Sequence, residues 1–214
     1  MEKIDLLQAA RNEYFNNIRI NGRISSILEG KNTNFRNYWL KVKNREGNLE
    51  EFRLYMPIQD ISGVNYELGD FVSVNGKIYS YQVTKRDGGK RLILSLFSKE
   101  VQRITKEQCE TKTENEGVFV GYICKRPFIK YKDGLAITES TLSYIDNERN
   151  KYAQIPFIVS GENALLLKNK SMLGDRVAIR GFFQERTFPK QMDSGRIIER
   201  KANEVVASEL EILK

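Results

Sequence analysis

Leu173-Gly-Asp-Arg-Val-Ala-Ile-Arg-Gly-Phe-Phe-Gln-Glu-Arg-Thr-Phe-Pro-Lys190 decides the fold. It predicts a turn, then a buried strand, then an outward-leaning arm of aromatic and basic residues. Val177, Ile179, Gly181 and Phe183 share one parity, and Phe182, Gln184, Arg186, Phe188 and Lys190 share the other. A strand alternates its faces with period two, so the first set can enter a core while the second lines a surface. A surface with Arg, Phe and Lys in a row suits a polyanion with stackable bases.

The stretch occurs twice. Leu68-Gly-Asp-Phe-Val-Ser-Val-Asn-Gly-Lys-Ile-Tyr-Ser-Tyr81 is the earlier copy, with Asp70 and Asp175, and likewise Gly76 and Gly181, 105 positions apart. Working outward, Arg19-Ile-Asn-Gly-Arg-Ile24 answers Val118-Phe-Val-Gly-Tyr-Ile123, and Gly22 and Gly121 are 99 positions apart. Pro57 and Pro156 keep that offset, and Ser62-Gly63 matches Ser160-Gly161. The longer spacing at the Leu-Gly-Asp turn comes from Glu162-Asn-Ala-Leu-Leu-Leu-Lys-Asn169, which has the composition of a short helix. Matching landmarks in matching order, with one local insertion, mark an internal duplication.

Each copy reads as five strands. In the first, Ile18–Ile27 alternates around a glycine of the kind that marks a bend in a small barrel. Asn37–Lys43 and Leu49–Met56 flank a glycine-containing turn, and Phe71–Tyr81 and Arg91–Phe97 flank Lys85–Lys90, giving two hairpins. The expected fold class is all-β: two tandem OB-fold five-stranded barrels, with a short N-terminal helix and a short helix in the second barrel. The expected division is a helix over 1–16, a first domain over 17–104, a charged linker over 105–116 and a second domain over 117–214.

Composition narrows the chemistry. Lys and Arg number 35 against 28 Asp and Glu, a formal charge of +7 that points to an anionic partner. Histidine is absent, which removes Ser-His and Cys-His nucleophile systems and the common zinc sites. The two cysteines, Cys109 and Cys124, form no CxxC pair, and a disulfide framework is not expected. No phosphate-loop motif is present, and the carboxylates make no catalytic constellation. The expectation is a protein without enzymatic activity, cofactor or metal. With no run of eighteen apolar residues and no secretion-signal layout at Met1-Glu-Lys-Ile-Asp5, a cytoplasmic location away from the membrane is expected.

The second copy resembles a known family. Ile155-Pro-Phe-Ile-Val-Ser-Gly161, Ala164-Leu-Leu-Leu167, Leu173–Gly181 and Glu204–Ile212, in that order, look like the bacterial and phage single-stranded-DNA-binding proteins built on the OB-fold. The likeness spans roughly Gly117–Leu213, and residues 17–104 share it through the repeat. It implies that Arg186 and Phe188, with Lys190 alongside, contact a single strand. It also implies a homodimer, because the family's working units carry four OB domains. The replicative members end in an acidic tail finishing in Pro-Phe; this sequence ends Glu209-Leu-Glu-Ile-Leu-Lys214. Replication or recombination proteins stay candidate partners, but docking through such a tail is not expected, and a member borne by a mobile element is.

Single-strand binding needs cations for phosphates and flat side chains for bases. Trp39, Lys41 and Lys43 share a parity opposite Leu40 and Val42; a tryptophan is on average highly buried, but these partners are charged. Lys77, Tyr79, Tyr81 and Lys85 occupy the parity of Phe182, Arg186 and Lys190, although an ordinary exposed strand face explains the tyrosines equally well. Lys125, Arg126, Phe128, Lys130 and Tyr131 make the densest basic and aromatic interleaving, expected as a loop between strands one and two. Lys31 to Arg36, with Phe35, fills the equivalent place in the first copy. The resulting expectation is sequence-tolerant binding of single-stranded DNA in replication, recombination or mobile-element transfer. Two other readings fit the same residues: an RNA-binding module, because stacking ignores the sugar, and an OB-fold adaptor whose arms dock a partner protein.

Overall fold

Alternate residues along the first five strands disappear into one interior. β1 (Phe15–Leu28) buries Ile18, Ile20 and Ile24; β2 (Phe35–Lys43) buries Tyr38, Leu40 and Val42; β3 (Leu49–Pro57) buries Phe52, Leu54 and Met56. β4 (Phe71–Thr84) adds Val72, Val74 and Ile78, and β5 (Lys90–Arg103) adds Leu94 and Leu96. Each such side chain contributes roughly 1.5–3 kcal/mol when fully buried, and the period of two delivers all of them to the same side. The computed structural model describes residues 5–28, 34–84, 88–112, 114–146, 151–191 and 195–213, with the side chains at 146, 151, 190 and 191 outside the description.

The strands close into a barrel. β1 pairs antiparallel with β2, β2 with β3, β4 with β5 and β1 with β4, while β3 and β5 meet in parallel at Leu54 with Leu96 and Tyr55 with Phe97. The mid-strand glycines sit where strands crowd: a Cβ on Gly22 would collide with the Lys41 carbonyl oxygen, and one on Gly76 with that of Phe97.

The chain is all-β, with further strands and few short helices. β6 (Asn115–Lys132), β7 (Leu135–Asp146), β8 (Lys151–Ser160), β9 (Arg176–Gln191) and β10 (Ile197–Leu213) repeat the same partner sequence: β6 with β7, β7 with β8, β8 parallel with β10, β10 with β9 and β9 with β6. The repeat extends to single hydrogen bonds. Ile24 N–H donates to the Asp70 carbonyl (2.8 Å) as Ile123 N–H does to Asp175 (2.9 Å). The Asp70 carboxylate accepts from Glu67 N–H at 2.8 Å, and Asp175 from Met172 N–H at 2.9 Å. Gly69 and Gly174 hold φ of 99° and 89° in these two turns, a region that favours glycine. Asn16 donates to the Ile78 carbonyl and accepts from its N–H (2.8 and 3.1 Å); Asn115 does the same for Phe183 (2.7 and 3.0 Å).

β1 and β6 pair antiparallel from Phe15 with Val120 to Ile20 with Asn115, joining everything into a ten-stranded sheet. The buried side chains of both halves form one contiguous cluster, bridged by Phe52 and Phe183 with ring centroids 4.5 Å apart. A separate small cluster lies outside: α1 (Leu6–Ala9) lays Leu6, Ala9 and Ala10 on Val118, Val120 and Ala178.

Four details differ from the sequence expectation or refine it. The N-terminal helix covers only Leu6–Ala9, and β1 already begins at Phe15. The expected linker contains α2 (Lys106–Thr111), because Thr105 and Gln108 form a capping box. The basic-aromatic segment expected as a loop at Lys125–Tyr131 is strand: β6 runs through it past two register shifts and turns at Asp133-Gly134, whose φ of 52° and 79° suit a two-residue hairpin. The short helix between β8 and β9 is α3 (Glu162–Lys170), which buries Ala164 and Leu167.

Candidate nucleic-acid interface

Among the residues of β2 to β5 that do not enter the barrel, several aromatics gather on one face. Trp39 on β2 lies opposite Arg53 on β3, whose guanidinium carbon is 5.1 Å from the indole ring. Arg53 Nη1 donates to the Tyr81 hydroxyl at 3.0 Å, so β4 joins the row. A second row runs beside it. The rings of Phe35 and Tyr55 stack at 5.3 Å, Tyr55 and Phe97 lie 4.7 Å apart, and Tyr79 meets the Phe97 ring edge-on at 5.4 Å. Trp39, Tyr55, Tyr79 and Phe97 are half-buried, each anchored on a neighbour with part of its ring turned outward.

Trp39, Tyr79 and Tyr81, which the sequence places in two separate patches, therefore lie on one face. Lys41 is exposed and lies 3.6 Å from Glu51, while Lys43 is exposed at the rim of a recess it shares with Arg45 and Phe182. Lys85 and the first half of the Lys31–Arg36 patch, 31–33, lie outside the described residues, while Phe35 belongs to the second row. Arg53, Tyr55 and Phe97 were not singled out from the sequence. Their signal is parity, since Phe52, Leu54 and Met56 are core and Arg53 and Tyr55 are their opposites.

Trp39 and Arg53 also wall a cleft between the halves. Arg91, Glu185 and Lys201 complete it; Arg91 Nη2 donates to the Lys201 carbonyl at 3.0 Å and Lys201 Nζ pairs with Glu185 at 2.6 Å.

The second half presents a different arrangement. Lys125 and Arg126 are exposed on β6, as are Phe128 (61%) and Tyr131 (67%). Lys130 donates to Glu139 on β7. Arg186 Nη1 donates to the same Glu139 oxygen at 2.8 Å, and its Nε lies 3.3 Å from Glu204 on β10, an ion pair without hydrogen-bond alignment. The Arg186 guanidinium carbon is 5.7 Å from the Phe188 ring, and Phe182 carries the Arg45 guanidinium at 4.2 Å. The Lys190 side chain is outside the description. Burial works against the Glu139 carboxylate, but hydrogen bonds and charge from Lys130 and Arg186 outweigh it and hold its pKa below the ordinary value. Burial dominates at Glu204 and raises its pKa, with Arg186 and the Gln184 amide only partly offsetting it.

Among the described residues, no group of three or more Cys, Asp or Glu is placed to hold a metal ion, and no helix is long and apolar enough to cross a membrane. Cys109 and Cys124 are free thiols.

No family model matches the sequence, and no curated protein sequence matches it. Solved structures do. The wild-type single-stranded DNA binding protein from Thermus aquaticus is 17% identical, with a TM-score of 0.66 over 95% of both chains. A deletion mutant of that protein carrying a further substitution is 16% identical, with a TM-score of 0.66 over 94% of this chain and 96% of its own. The likeness runs nearly end to end, through both sets of strands, and the chain has the OB-type barrel fold of the Thermus aquaticus single-stranded DNA binding protein.

Proposed function

We propose that this chain is a tandem pair of OB barrels, residues 17–104 and 117–214, that binds single-stranded DNA without sequence preference and without enzymatic activity. The carrying observation is the outer face of the first barrel, where Trp39, Arg53 and Tyr81 lie beside Phe35, Tyr55, Phe97 and Tyr79. Ring faces anchored but partly open are what unstacked bases need, each stack being worth roughly 1–3 kcal/mol. The +7 charge supplies the phosphate attraction. The name of the Thermus aquaticus neighbour agrees with this reading.

Such a protein sheathes exposed strands during replication, recombination or transfer of a mobile element in the cytoplasm, and two copies would assemble four barrels. Oligo(dT) titration at low salt tests the binding, with oligo(U) as competitor to separate DNA from RNA preference. Retarded mobility that weakens steeply with salt supports the reading; unchanged mobility at low salt contradicts it.

A further inference from the structure

We infer that Glu139 is a built-in competitor for phosphate, latching Lys130 and Arg186 on the second half so that a bound strand must displace it. This rests on the single-strand-binding reading and assigns within it a residue that limits affinity.

The geometry comes from four strands. Glu139 on β7 lies opposite Phe128 of β6 in the ladder, and one of its oxygens accepts from both the Lys130 ammonium and the Arg186 guanidinium. Arg186 arrives from β9, with Glu204 of β10 on its other side and Phe188 beside it. An ammonium and a guanidinium converging on one anionic oxygen is the donor set that a phosphate oxygen takes. Two cations and two carboxylates bring the formal charge of the cluster to zero. The side chains of Lys130, Arg186 and Glu139 are 39%, 35% and 23% exposed. Ion pairs this open to water are weak enough to exchange partners. Phe128 and Phe188 flank the cluster, so stackable rings surround a centre whose cations are already engaged.

The matching position of the first half is built differently. Tyr81 holds the position matching Arg186 in the 105-residue offset, and there an uncharged phenol accepts from Arg53.

The test is Glu139→Gln, checked for folding by thermal melting and titrated with oligo(dT) across a salt series beside the wild type. The expected result is affinity raised about 3- to 10-fold at low salt. The slope of log K against log salt should steepen by about 0.7 for each cation released, since single strands release about that many counterions per phosphate neutralised. Arg186→Gln added to Glu139→Gln should remove most of the gain. If Glu139→Gln fails to fold, Glu139→Ala carries the same expectation. Wild-type binding with a variant whose affinity and slope are unchanged or lower overturns the latch, as does a gain that survives Arg186→Gln. Absence of wild-type binding overturns the single-strand reading itself, and is told apart by the wild-type titration alone.

Discussion

Ile18 pairs across the central seam with Gly117, the residue 99 positions further on, which is also the offset from Gly22 to Gly121. Each first strand thus meets its own copy, and the neighbours are symmetric about that pair: Asn17 with Val118 and Arg19 with Glu116. Such self-matching is the logic of a two-fold interface, here placed within one chain. A Cβ on Gly117 would lie 2.9 Å from the Asn17 carbonyl oxygen and 2.5 Å from the Phe119 ring. Gly117→Val should therefore lower stability by about 1–3 kcal/mol in urea unfolding, as overpacking does.

Asn16 and Asn115 each satisfy both backbone groups of a residue on the fourth strand of their half. Both asparagines grip the interior residue two positions after a mid-strand glycine, Ile78 after Gly76 and Phe183 after Gly181. Asn16→Ala or Asn115→Ala leaves a backbone donor without that partner, and each should cost about 1–3 kcal/mol in the same unfolding experiment. A loss near zero would show that neither clamp matters.

Tyr55 is held between Phe35 and Phe97 with part of its surface open. If bases stack on this face, Tyr55→Ala should weaken oligo(dT) binding by roughly 1–3 kcal/mol at fixed salt. Its melting temperature, measured alongside, separates lost stacking from lost structure.

Glu139 and Glu204 should respond oppositely to pH. The depressed pKa of Glu139 gives stability above the ordinary glutamate range, lost as pH falls through the lower folded value. The raised pKa of Glu204 gives stability that is full below the ordinary range and lost as pH rises through the higher folded value. Glu139→Gln should thus melt below the wild type at about pH 7, and Glu204→Gln above it, both gaps closing towards about pH 3. Melting curves that stay parallel at every pH would contradict this account of the cluster.

Much of the fold is legible because it depends on local alternation and on the repeat. Val177, Ile179 and Phe183 are buried as their parity requires, and Gly22, Gly76, Gly121 and Gly181 stand where a side chain would strike a neighbouring carbonyl. The capping box at Thr105 and Gln108 is equally local, but the surrounding charge masks it. Lys125–Tyr131 looks like a loop by composition, although Asp133-Gly134 is a hairpin signal directly after it. The site is legible only in part. Parity turns Trp39 outward, but nothing local places Arg53 over its ring. Arg186 reads as a phosphate contact because its carboxylate partners stand on β7 and β10, and only the closed sheet brings Glu139 and Glu204 to it.

Trp39 is the single tryptophan, so its emission reports on the aromatic face alone. Titration with oligo(dT) at low salt, followed by emission and by mobility together, tests the central claim most directly. Saturable quenching that tracks complex formation and weakens as salt rises is the predicted result. Complex formation with Trp39 emission unchanged, or no complex at all, would contradict it.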